Sequence, residues 1–145
     1  GADLVGAAVS SHKLIVQKTN IGDDTVSAFI NIAVPNGAEA AVLKILGIAY
    51  EVDGSKSDTV ELTIPITRAN NEATAITIGT VTSVDTGGGH AAATVITQGS
   101  VTGGTSADQS FDLRITANTD GSNYSYVLEC TLVNGNGNGI TMTAV

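Results

Sequence analysis

The amino-acid sequence predicts an all-β fold: a single antiparallel β-sandwich, jelly-roll or immunoglobulin-like, with about eight or nine strands. Three observations predict it. The apolar residues of the 145-residue chain are mostly Val, Ile and Ala, and Thr is abundant, which favours extended backbone. Apolar and polar residues alternate strictly in several segments. Turn residues, led by 17 glycines, separate these segments at short intervals.

The first strand is predicted at His12–Lys18, after an N-terminal arm formed by residues 1–11. The next covers Val26–Val34, where the alternation places every second residue on one face, namely Val26, Ala28, Ile30, Ile32 and Val34. We expect the whole of residues 12–145 to form one sandwich domain, because no linker-like segment divides it.

Ala38–Glu51 is ambiguous, because its start is compatible with a helix that has Asn36 near the cap and Glu39 in the first turn. Its end, "ILGIAYEV", is typical of a strand. We favour a strand here, preceded by at most one helical turn.

Thr59–Thr67 alternates without a fault, and Pro65 within it indicates an edge position or an adjacent bulge. Ala73–Val84 is the next predicted strand. Its alternation changes phase near Gly79, where a bulge would restore it.

Four further strands are predicted in the last third of the chain. They are Ala91–Val101, Phe111–Ala117, Tyr124–Val133 and Ile140–Val145. The lone cysteine, Cys130, falls on the apolar phase of its strand and is expected to be a small buried hydrophobe. A lone cysteine also forms no intrachain disulfide, which fits assembly in a reducing cytoplasm.

The net charge of −8, with six basic residues scattered along the chain, argues against binding to nucleic acid or to an anionic membrane. No apolar run has the length of a membrane span.

Asp85-Thr86-Gly87, within "VDTGGGH", matches the catalytic triplet of aspartic proteases. That family uses two triplets, and a short chain supplies them by dimerising. The triplet here lies past mid-chain and is followed by Gly88, whereas the family has Ala or Ser at that place. We therefore interpret the stretch as a glycine-rich hairpin turn between a strand that ends at Val84 and one that begins near Ala91.

Gly87–Ala92 also fits a loose dinucleotide fingerprint, with Asp108 at about the right distance beyond it. The fingerprint requires a helix after the glycines, but the β-branched residues that follow favour a strand, so we predict no cofactor. His12 and His90 are the only histidines and lack the partners of a zinc site.

Ile21–Asp24 and Asn118–Asn123 offer oxygen ligands for calcium, but neither has the order of an EF-hand loop, and hairpin turns explain both. Asn123-Tyr124-Ser125 is a glycosylation sequon, meaningful only in a secreted chain. Sugar binding would need exposed aromatic rings, for which only Tyr50 and Phe29 are candidates. We predict no catalytic, cofactor-binding or metal-binding residues.

In its overall composition and strand pattern, the sequence resembles the small structural proteins of tailed-phage virions, especially capsid decoration (cement) and head-fibre proteins. The resemblance is carried by the Thr/Ala/Gly/Val-rich segments "EATAITIGTVTSV" and "HAAATVITQGSVTGG", by "AYEVDGSKSDTVELTIPIT", and by the N-terminal "ADLVGAAVSS". It implies a non-enzymatic virion protein, assembled in the host cytoplasm, that forms homo-oligomers, often trimers, and binds the major capsid protein lattice. The alternatives are a cell-surface filament subunit that assembles by strand exchange and an extracellular carbohydrate-binding or adhesin module.

Overall fold

A computed structural model describes residues 10–22, 25–54, 56–86, 94–117, 121–134 and 139–145. These residues form strands and connecting segments, which confirms the predicted all-β class. The ten strands are β1 (Ser10–Ile21), β2 (Val26–Val34), β3 (Glu39–Glu51), β4 (Ser57–Arg68), β5 (Ala75–Ile76), β6 (Asp85–Thr86), β7 (Val95–Gln98), β8 (Gln109–Thr116), β9 (Tyr124–Asn134) and β10 (Thr141–Ala144).

The strands form two antiparallel sheets, as expected for a β-sandwich. The six-stranded sheet has the order β1-β9-β3-β4-β5, and β6 also pairs with β4. The four-stranded sheet has the order β10-β2-β8-β7. The chain crosses between the two sheets repeatedly. In the six-stranded sheet, β9 lies between β1 and β3, although it is distant from both in sequence.

The core lies between the two sheets and follows the predicted alternation closely. In β4, every second residue from Asp58 to Arg68 is buried, and in β9 every second residue from Tyr124 to Asn134 is buried. Phe111 and its alternating partners in β8 are also buried. The Tyr126 hydroxyl is hydrogen-bonded inside the core, because its oxygen lies 2.9 Å from Thr94 Oγ1.

The predicted strand at Ala38–Glu51 is confirmed, and its ambiguity resolves in favour of extended backbone. β3 begins at Glu39 and pairs continuously with β4, from Glu39↔Arg68 to Tyr50↔Ser57. β1 is longer than the predicted His12–Lys18 at both ends. Residues 1–9 of the expected N-terminal arm lie outside the described residues.

The prediction for β2 is wrong at its beginning, because the strand contains a bulge. The pairing with β8 shifts between Ala28 and Ile30, so that Phe29 and Ile30 are both fully buried. The extra residue reverses the phase of the preceding segment, and Val26 is 55% exposed instead of facing the core.

The predicted strand at Ala73–Val84 is mostly wrong. Only Ala75–Ile76 is a strand, and Gly79 lies outside it with open space around it. The remaining segment follows β4 loosely through hydrogen bonds such as Thr82 N to Glu61 O (2.9 Å) and Thr77 N to Pro65 O (3.3 Å). Pro65 therefore lies on an edge of β4 that is only intermittently paired, as a residue without an N–H requires.

One end of the sandwich is held together by polar side chains that reach between loops. Arg68 is 4% exposed and donates hydrogen bonds to the main-chain oxygens of Val34, Glu72, Thr105 and Ala107 at 2.6–3.0 Å. The buried Gln109 side chain accepts from Thr74 and donates to Gly103. The exposed loop between β7 and β8 is thus fixed by two buried side chains.

Candidate functional site

The outer face of the six-stranded sheet carries the largest group of exposed apolar side chains in the described part of the chain. We call it the outer patch and define it by its seven large apolar residues: Ile15, Val42, Leu46, Ile48, Tyr50, Val127 and Val133. Ile15 is 68% exposed and Tyr50 is 57% exposed. Monomeric proteins rarely expose so many large apolar residues together, so the patch indicates a contact surface.

The pairing registers fix how the patch is laid out, because directly opposed residues of antiparallel strands project from the same face. One row consists of Val127 and Ile48, with Gln17 and Thr59 at its ends. Another row consists of Val133 and Val42, with Ser11 and Pro65 at its ends. Two apolar rows thus lie on either side of the centre of the sheet.

The two rows between these apolar rows carry the charges of the face. Lys13 and Lys44 lie in one row, on either side of Thr131, and we call this the basic row. Glu129 and Glu61 lie in the next row with Ile15 and Leu46, and we call this the acidic row. Lys13 Nζ lies 3.4 Å from Glu129 Oε1, and both side chains are well exposed, so this pair adds little stability.

Gly47 allows the strands beneath the patch to approach closely. A Cβ at this position would lie 2.5 Å from Leu128 Cδ2 and 2.7 Å from the Val127 main-chain oxygen. Above it lies a shallow depression of about 310 Å³, lined by Ile15, Leu46, Gly47, Ile48, Val127 and Glu129. The depression is apolar with a single carboxylate at its border, which suits a protein side chain better than a polar small molecule.

The four-stranded sheet has a different outer face. Its outward positions on β8 are half-buried polar residues, among them Asp112, which accepts a hydrogen bond from Asn31 at 2.9 Å. Its strands expose large apolar side chains only at Val26 and Val95. The two outer faces therefore differ in chemistry, and the apolar one belongs to the six-stranded sheet.

The aspartic-protease triplet is divided between a described strand and residues outside the described part. Asp85 and Thr86 form β6, and their backbone pairs with Asp58 and Ser57 of β4. The predicted turn therefore does not begin at Asp85, because the chain is still paired there. Residues 87–93, including His90 and the triple glycine of the cofactor fingerprint, lie outside the described residues.

The calcium candidates lie at the end of the sandwich opposite Arg68. Asn20, Glu51, Asp53, Ser122 and Asn123 line a polar hollow of about 490 Å³ there. The Glu51 carboxylate accepts hydrogen bonds from Ser122 Oγ (2.6 Å) and Lys56 N (3.1 Å). Asp23, Asp24 and residues 118–120 of the candidate loops are outside the described residues. Within the described ranges, no three His, Cys, Asp or Glu residues are placed to hold a metal ion.

The other residues that the sequence suggested as functional lie in different parts of the fold. Phe29 is fully buried, so its proposal as a sugar-stacking ring is wrong, whereas Tyr50 is exposed on the outer patch. Asn123 of the sequon is exposed and donates through Nδ2 to Asn20 Oδ1 at 2.9 Å. His12 is exposed on β1. None of the described residues forms a helix long and apolar enough to cross a membrane.

Cys130 is fully buried, as predicted. Burial, and secondarily the charge of Glu129, raises the pKa of its thiol to about 12. A thiol in this environment stays protonated at neutral pH and is unreactive.

Comparison with known proteins does not assign a function to the outer patch. No protein-family model matches the sequence, and no curated protein matches it. Among solved structures, the tailspike protein of Acinetobacter baumannii phage AM24 matches 93% of this chain with a TM-score of 0.48 and 11% sequence identity. The chain spans 28% of the length of that tailspike chain. A similarity this low carries no argument about function.

Sequence reasoning missed the outer patch, although a signal for it was present. In β9, Val127 and Val133 fall on the outward phase, and in β3 Leu46, Ile48 and Tyr50 are outward while their neighbours are also apolar. A strand that is apolar on both faces, in an antiparallel sheet expected to have one solvated face, indicates that the second face is also covered.

Proposed function

We propose that the protein is a non-enzymatic structural subunit of a tailed-phage virion, either a capsid decoration (cement) protein or a head-fibre subunit. In this role it acts through contacts with copies of itself and with the major capsid protein lattice. The observation that carries the proposal is the outer patch, a broad apolar face on an otherwise polar and acidic β-sandwich. The resemblance of the Thr/Ala/Gly/Val-rich segments to those of such proteins supports the same role.

A role without catalysis is supported by how the reactive residues are distributed. Cys130 is buried with a raised thiol pKa, and His12 is exposed on the edge strand β1. Glu51 is engaged with Ser122 and Lys56. Nucleophilic or acid–base chemistry needs a nucleophile and a base within hydrogen-bonding distance of each other. In our proposal these residues are structural.

The physical requirements of a cement protein match the features of this fold. Such a subunit must be stable alone and must bind weakly at many identical places, because a lattice supplies avidity. A sandwich with a continuous core supplies the stability. A flat apolar face with a few charges supplies a contact of modest strength and defined orientation.

The direct test is to locate the protein in the phage that encodes it. Purified virions are analysed by quantitative mass spectrometry and by immunogold electron microscopy with antibodies against the protein. The proposal predicts a fixed copy number relative to the major capsid protein and labelling of the head. Absence of the protein from purified virions, with abundance only in the lysate, would refute the proposal.

A filament subunit that assembles by strand exchange is a second candidate, favoured by one observation. At one edge of the sandwich, an apolar groove of about 480 Å³ runs between β7 and the segment Ile78–Val81. β7 is four residues long and lies at the edge of its sheet, so a strand from another chain could extend it. End-to-end polymers that disappear when residues 2–10 are deleted would favour this candidate over the virion role.

A further inference from the structure

We propose that the outer patch binds the outer patch of a second copy of this chain, so that two sandwiches pack face to face about a two-fold axis. The proposal rests on the contact role given to the patch above, but not on where in a virion the protein lies. The order of the rows on the patch makes the face complementary to itself in one orientation.

The order of the rows along the strands is apolar, basic, acidic, apolar. The Val42/Val133 row is followed by the basic row of Lys13 and Lys44. The acidic row of Glu61 and Glu129 comes next, and the Val127/Ile48 row follows it. Successive rows are two residues apart, or roughly 6.6 Å along the strand.

Three orientations of a two-fold axis in the plane of the face can be compared. An axis parallel to the strands places each row over itself, so the lysines of one copy meet those of the other. An axis perpendicular to the strands and centred on a charged row repeats the same repulsion. An axis perpendicular to the strands and midway between the basic and acidic rows places the basic row of one copy over the acidic row of the other, so that opposite charges become neighbours.

This last orientation also matches the apolar rows. Ile48 and Val127 of one copy then lie over Val42 and Val133 of the other. Lys44 lies over Leu46 of the partner copy, with Glu61 and Glu129 of that copy on either side, because β3 separates β4 from β9. The lysine stem covers the leucine while its ammonium reaches a carboxylate.

The charged groups needed for this pairing are not held in strong ion pairs within a single copy. Within the described part of the chain, neither Lys44 nor Glu61 makes an ion pair. Glu129 has only the exposed contact with Lys13, which contributes little. Pairing across the interface therefore replaces contacts with water and breaks no strong intramolecular bond.

The size of the face is sufficient for a specific contact of modest strength. Four strands about 4.8 Å apart, and the nine residues from Val42 to Tyr50, define a face of roughly 500 Å² per copy. Two copies would bury about 1,000 Å², the lower end of specific interfaces. We therefore expect a dimer that dissociates at low protein concentration.

The test is sedimentation equilibrium over a range of protein concentrations, with three variants. The wild type should approach twice the chain mass of 14.5 kDa. Ile48→Glu should raise the dissociation constant by about 100-fold, because the two-fold axis introduces the new charge twice. Val26→Glu is the matched control, since it adds the same charge at a more exposed valine of the other sheet and should leave the dimer unchanged.

A charge exchange tests the proposed orientation. Lys44→Glu alone and the double variant Glu61→Lys/Glu129→Lys should each be monomeric, because each places like charges across the axis. An equimolar mixture should form a heterodimer, because each variant restores the opposite charges for the other. Circular dichroism establishes that the separate variants are folded.

The outcomes separate this inference from the proposed function. A monomeric wild type, a trimer, or a dimer unaffected by Ile48→Glu overturns the face-to-face dimer, even if the protein is found in virions. A dimer with the predicted variant behaviour supports the inference even if purified virions lack the protein, a result that would refute only the virion role.

Discussion

Replacement of Arg68 by methionine tests how the loop end of the sandwich is held together. Arg68 lies at the end of β4 and donates to Val34 O (3.0 Å), Glu72 O (2.8 Å), Thr105 O (2.9 Å) and Ala107 O (2.6 Å). Methionine preserves most of the apolar stem but removes every one of these donors.

The expected cost follows from the surroundings of each acceptor. The hydrogen bond to Val34 O is buried, so this carbonyl is left unsatisfied at a cost of about 1–3 kcal/mol. The other three acceptors belong to exposed residues and can bind water, so each loss costs about 0.5–1 kcal/mol. The sum is a destabilisation of about 2.5–6 kcal/mol.

Urea unfolding followed by circular dichroism measures this change. With an m-value near 2 kcal/mol/M, the midpoint should fall by about 2 M. Proteinase K should also cleave the variant preferentially in the β7–β8 loop, because Arg68 no longer holds the main chain at Thr105 and Ala107. Arg114→Met, at the only other arginine, is the control and should cost under about 1 kcal/mol. A loss for Arg68→Met no greater than that of the control would refute the reasoning.

Three further predictions concern single positions. Gly47→Ala should lower the free energy of unfolding by about 1–3 kcal/mol in urea titrations, since its Cβ would lie 2.5 Å from Leu128 Cδ2, and an unchanged midpoint would contradict this packing. Gly103→Ala should destabilise the β7–β8 loop, because φ is +97° and the new Cβ would overlap Asp108 O; hydrogen exchange should rise in this loop and stay unchanged in β9. Cys130 should react with maleimide only after unfolding, and rapid labelling of the native protein at pH 8 would contradict its burial. Because its pKa rises on folding from 9.0 to about 12, the stability that it contributes should be lost as pH rises through this interval, a dependence that Cys130→Ala should lack.

The core of the fold was predictable because burial on one face imposes a period of two. The inward residues of β4, β8 and β9 could be read directly from the alternation. The bulge at Phe29 could not, since a single extra residue in β2 is specified by its pairing with β8 rather than by local sequence. The loose course of residues 77–84 is likewise set by the edge of β4.

The candidate site was harder to predict because it is assembled from distant segments. Ile48 and Val127 are paired neighbours, but nothing local indicates that β9 lies beside β3. The role of Arg68 could not be predicted for the same reason. Three of its four acceptors, the main-chain oxygens of Val34, Thr105 and Ala107, are more than 30 residues away in sequence, and its sequence neighbours resemble those of any surface cation.

The most direct test of the central claim, that the outer patches of two copies pack face to face, is a distance between nitroxide labels in the assembled protein. The buried Cys130 stays unlabelled, so Tyr50→Cys and Thr63→Cys can each be labelled separately. With the axis midway between the basic and acidic rows, labels at position 50 are ten residues apart along the strands and should be about 35 Å apart. Labels at position 63 lie near the axis and should be less than about 20 Å apart, given two sheets about 10 Å from each other. Equal distances at the two positions, or no dipolar coupling at either, would contradict the account.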